Sequence, residues 1–158
     1  MLLLLLAVTA CGGDGGPFSI VTETPSVPIT ELLASPEVLQ TGQQSIEGWA
    51  YLWQNYSFSA SPDHRMRAVV NVFTQDSTSL SSNFRVTRMW VVNESAVWET
   101  SDFEEDRPNQ PPYQLEKLAI YGPEWATGTL VDVIVRVKGV TGKSALLLMP
   151  GVLIVGTA

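Results

Sequence analysis

Four valines at alternate positions, Val131, Val133, Val135 and Val137, constrain this chain more than any other feature. Interleaved with Asp132, Ile134, Arg136 and Lys138, they carry the period of two that sends successive side chains to opposite faces of an extended strand. A helix would scatter the same valines round its circumference. Arg85–Val92 alternates in a similar way, setting Val86, Trp90 and Val92 against Arg85 and Thr87. Asn93-Glu94-Ser95 then offers a turn into Ala96–Thr100, so these two segments read as a hairpin. Ile46–Tyr56 and Met66–Phe73 are two further strands, parted by the turn-forming Ser59-Ala60-Ser61-Pro62-Asp63. Gln114–Tyr121 is a short strand or a helical turn, and Ala145–Val155 is a closing strand broken by Pro150-Gly151. No segment beyond the first ten residues has a helical period. Six or seven short strands with regular turn signals predict an all-β sandwich or small barrel.

The chain has 158 residues, which suits one domain with a real core. Residues 1–10 form an apolar leader. Residues 11–42 are rich in Gly, Pro, Thr and Ser and read as linker, with room for one edge strand near Phe18–Thr22. Residues 43–158 are the expected folded domain. The layout of that domain, with Gly122–Gly128 leading into the valine strand and a hairpin into the last strand, resembles immunoglobulin-like domains. The resemblance implies an antiparallel β-sandwich of about seven strands and brings no catalytic motif with it. Antibody domains have a cysteine pair that is missing here, so the likeness is to the disulfide-free relatives.

Only one cysteine is present, Cys11, and one histidine, His64. No intrachain disulfide can form, and a zinc site of cysteines and histidines cannot be assembled. The position of Cys11 is informative. Leu2–Val8 is an apolar run far short of the roughly 20 residues that span a bilayer, but it matches the core of an export signal. Val8-Thr9-Ala10-Cys11 resembles the bacterial lipobox, although the leader lacks the usual basic start. The resemblance implies cleavage before Cys11, lipid attachment to its thiol, and an exported protein anchored to the cell membrane or the outer membrane. Gly12–Gly16 would serve as a flexible tether behind that anchor. A plain secretory signal with an incidental cysteine is the competing reading.

The net charge of −7, with nine scattered basic residues, excludes a nucleic-acid partner, because phosphate binding needs clustered Lys and Arg. No phosphate loop, nucleophile elbow or paired-histidine motif is present, so no enzyme and no cofactor are expected. His64, alone in a Pro-Asp-His-Arg loop, reads as a surface residue. The acidic cluster Glu94, Glu99, Asp102, Glu104, Glu105 and Asp106 invites calcium, which takes carboxylate oxygens. Asp102, Glu104, Glu105 and Asp106 are the candidate ligands, but the prolines Pro108, Pro111 and Pro112 make a solvated loop the simpler expectation. Trp49, Tyr51 and Trp53 share one parity and project from one face of their strand. An exposed aromatic row of this kind suits the stacking of sugar rings. The opposite face, Ile46, Gly48, Ala50 and Leu52, is nearly as apolar, so either face could be the core.

These features predict a membrane-anchored, non-enzymatic module of the cell envelope that binds a partner or serves structurally, as a monomer. A carbohydrate-binding module using Trp49, Tyr51 and Trp53 is one alternative. A protease-inhibitor-like immunoglobulin domain, inserting a loop such as Asp102–Pro112 into a target, is another.

Overall fold

In a computed structural model, residues 18–56, 63–104, 106–139 and 143–157 are described. The elements are β1 (Ser19–Thr22), α1 (Ile29–Leu33), β2 (Leu39–Thr41), β3 (Gln44–Asn55), β4 (Met66–Thr74), β5 (Arg85–Asn93), β6 (Ala96–Thr100), β7 (Gln114–Gly122), β8 (Leu130–Lys138) and β9 (Ser144–Thr157). The strands run in the order β1-β6-β5-β8-β9-β3-β4-β7, with β2 paired to β3. That path curls into two facing layers. The first holds β1, β6, β5, β8 and the start of β9; the second holds the end of β9 with β3, β4 and β7. It is an all-β, sandwich-like fold in which the alternating valines form the strand they predict. Among the described residues no helix is long and apolar enough to cross a membrane.

The valine strand packs as its period dictates. Val131, Val133, Val135 and Val137 of β8 are buried against Ile46, Leu52, Val70, Val72 and Leu147 between the layers. On β5 the simple alternation fails. A bulge between Val86 and Arg88 shifts the register against β8, so Val86 joins Met89 and Val91 in the central core. Trp90 and Val92 are turned to the opposite face. One extra residue reverses which side chains point inward.

The last strand belongs to both layers. Ser144–Leu153 runs antiparallel to β8, then Ile154–Thr157 runs parallel to β3. The register against β8 shifts at Pro150-Gly151, just before the change of layer, where Gly151 adopts positive φ and donates its N–H to the Asp132 carboxylate at 3.0 Å. Pro150-Gly151 therefore redirects the strand instead of ending it.

The folded domain starts well before residue 43. The edge strand near Phe18–Thr22 is present as β1, paired to β6. Residues 23–38, expected as linker, instead cross the outer face of the first layer as a strap. Val27 and Leu32 of this strap bury Trp90, Val92, Val97 and Ile134 in a second core. Prolines 25, 28 and 36 keep the strap out of any ladder, and that composition disguised a packed segment as a spacer. Below the strap, Glu99 is 1% exposed. Its carboxylate accepts hydrogen bonds from the Ser26 N–H at 2.8 Å and from the Ser26 hydroxyl, and it pairs with Arg88 at 3.1 Å. Arg136 lies over the Trp90 ring beside this group. Burial, then the charge of Arg88, pushes its guanidinium below the usual arginine value.

Candidate functional site

The outer face of the second layer carries the aromatic residues. On β3, Ile46 and Leu52 are buried with Ala50 packed against them, so Glu47, Trp49, Tyr51 and Trp53 must face outward. Gly48 sits on the inner side, where an added Cβ would meet Met149 Cε at 2.8 Å. The inner face is filled to the backbone, which settles which side of this doubly apolar strand is the core. Trp49 and Tyr51 are 46% and 45% exposed, and Trp53 is half-buried. Tyr51 and Trp53 stack with ring centroids 5.5 Å apart.

Cross-strand register supplies the rest of the face. Tyr51 lies opposite Val69 of β4, and Val69 opposite Leu118 of β7. Trp49 lies opposite Asn71, and Asn71 opposite Glu116. Trp49, Tyr51, Trp53, Val69, Glu116 and Arg107 together line a shallow concavity of about 500 Å³. Arg107 reaches in from the loop after β6 and pairs with Glu116 at 3.1 Å. Asn71 is only 3% exposed, and its Oδ1 has no hydrogen-bond partner, whereas the buried Glu116 Oε1 faces the Arg107 guanidinium. The concavity thus combines an aromatic wall with polar groups of mixed charge. Such a surface can stack planar or ring-shaped ligands and exchange hydrogen bonds with their edges.

The described acidic residues do not gather. Glu94 occupies the β5–β6 turn with positive φ, and Glu99 is buried under the strap. Asp106 pairs with Lys117, and the Glu104 N–H donates to the Leu118 carbonyl at 2.8 Å. These bonds lay the loop after β6 along the β7 edge. Among the described residues no three His, Cys, Asp or Glu side chains cluster to hold a metal. Glu105 lies outside the described residues, as does Cys11. His64 is half-buried, its Nδ1 3.0 Å from the Asn55 carbonyl and its ring tilted against Tyr56.

Asn71, Glu116 and Arg107 were not among the residues singled out from the sequence. One local sign existed: Asn71 interrupts an otherwise apolar strand, Val69-Val70-Asn71-Val72-Phe73, where asparagine is a poor strand former. Its meeting with Glu116 depends on register between strands far apart in the chain, which residue spacing does not encode. The chain matches no protein-family model, and neither a curated protein nor a solved structure is similar enough to it to count as a match.

Proposed function

We propose that this chain is a non-enzymatic binding domain of the cell envelope, lipid-anchored through Cys11, whose Trp49/Tyr51/Trp53 face takes carbohydrate. The exposure of Trp49 and Tyr51 carries the reading. Two large rings held nearly half in solvent, beside a third, form an apolar surface that core packing does not use. Pyranose rings present apolar C–H faces and hydroxyl edges, and the concavity offers aromatic rings with Glu116 and Arg107 in its lining and Asn71 buried next to Glu116 in the register. The apolar run Leu2–Val8 and the resemblance of Val8-Thr9-Ala10-Cys11 to a lipobox support the anchor.

Two experiments test the halves separately. Electrophoresis of the purified domain through gels containing soluble polysaccharides should show retardation by at least one of them. The Trp49→Ala/Tyr51→Ala variant should lose affinity by about 10- to 100-fold, since each 1.4 kcal/mol is a factor of ten. Its melting temperature should stay near that of the wild type, because both rings are half-exposed. Equal retardation of the double variant would remove the carbohydrate reading. For the anchor, Cys11→Ser should abolish incorporation of labelled fatty acid and release the protein from the membrane fraction. Persistent attachment of that variant would overturn lipidation.

A further inference from the structure

Resting on the carbohydrate reading, we propose that Asn71 and Glu116 are the specificity-determining half of the same site, and that the ligand is a neutral sugar whose hydroxyls donate to them. The two residues are register partners on β4 and β7, and Trp49 is the partner of Asn71 on its other side. All three therefore stand in one row across the outer face. Asn71 Oδ1 is a buried acceptor without a hydrogen bond, and the neighbouring Glu116 Oε1 is held by its ion pair with Arg107 at 3.1 Å alone. Buried acceptors are nearly always satisfied, because losing water without gaining a donor costs free energy. One such acceptor on Asn71, beside a carboxylate whose partner is a largely exposed arginine and in a row that begins at an exposed tryptophan, calls for a donor from outside the chain.

The surrounding charge selects the donor. Arg107 pairs with Glu116, so the row is close to neutral. An ammonium group would meet the repulsion of Arg107. A uronic or other acidic sugar would bring a carboxylate against Glu116 and two oxygens that can only accept. Hydroxyl groups carry donors without either penalty, and they belong to the same ligands that stack on aromatic rings. Flanking the row, Arg107 is 66% exposed and Trp49 nearly half exposed.

Asn71→Val separates this from a structural role. Valine suits the middle of a strand and removes the unsatisfied acceptor, so the variant should be more stable, its melting temperature rising by about 2–4 °C. Its affinity for the neutral polysaccharide that best retards the wild type should fall at least tenfold by titration calorimetry. Glu116→Ala should lose affinity similarly, giving a second test should Asn71→Val not fold. Polysaccharides rich in uronic acid should bind the wild type more weakly than neutral ones. A wild type that binds neutral glycan and an Asn71→Val variant that binds equally well would leave the aromatic site standing and sink this inference; ordered water would then be the donor. Preference for the acidic polysaccharides would also overturn it. A wild type that binds no glycan would remove both the inference and the reading beneath it.

Discussion

Glu99→Ala is expected to destabilise the domain by about 2–4 kcal/mol, read as a shift in the urea midpoint at unchanged slope. Removing one member of a buried ion pair costs more than the pair itself contributes, because the other member loses its solvation without compensation. Here Arg88 keeps 26% of its side chain exposed and can partly rehydrate, so the value falls below the upper range for fully buried pairs. Ser26 loses the acceptor for both its N–H and its hydroxyl. The effect should be regional as well as global: the strap over residues 23–38 should exchange its amide hydrogens faster than β8 or β4. Leu32→Ala, which empties a fully buried position in the same strap, should add less than its own full cost to Glu99→Ala, because the two changes release one unit. A change below about 0.5 kcal/mol for Glu99→Ala would mean that the strap is held by its apolar contacts alone.

Trp98→Ala should cost about 3–5 kcal/mol, the range for removing a large aromatic side chain from a core, and lower the melting temperature by on the order of 10 °C. Trp98 is fully buried, and its Nε1–H donates to the Ser19 hydroxyl at 2.8 Å, which ties β1 to the sheet. Gly122 exists as glycine because of this ring. A Cβ there would stand 2.7 Å from Trp98 Cζ3 and 2.9 Å from the Met66 carbonyl oxygen. The void left by alanine is bordered by backbone that cannot move in to fill it. Trp49→Ala gives the internal comparison, with a stability change within about 1 kcal/mol. Thermal scans of the two variants side by side decide the matter: similar losses would mean that Trp49, too, is packing.

The two outcomes divide tryptophans that look alike in sequence, and they mark what the sequence could convey. Strand existence was legible for β3, β4, β5, β6, β8 and β9, each of which carries the period of two or a turn at its ends, whereas β7 stayed open between strand and helical turn and the three-residue β2 was read as linker. The inner face of β8 was legible too. Facing failed on β5, where the bulge after Val86 inverts the parity that puts Trp90 beside Val86. The strap was illegible for a different reason. Its prolines and its five-residue helix carry no period, and its burial comes from the apolar outer face of β5, β6 and β8. Ile134, set among charged residues on the supposed solvent face of β8, was the one trace of that second core. In the candidate site, the aromatic row was visible as residues 49, 51 and 53 on one parity, but its polar half was not. Asn71 and Glu116 come together only when β4 and β7 pair.

β9 has a kinetic consequence. Its first part completes one layer and its last four residues pair with β3, joining Leu52 to Ile154 across most of the chain. Neither layer can reach its final form while this strand is undocked, so half-formed states gain little from the contacts they do make. A single cooperative transition, with no resting intermediate and folding on the millisecond-to-second scale of long-range β topologies, is the expected behaviour. Until β9 docks, the edge of β8 and the end of β3 stay unpaired, and that interval is when the chain is most open to association with its neighbours.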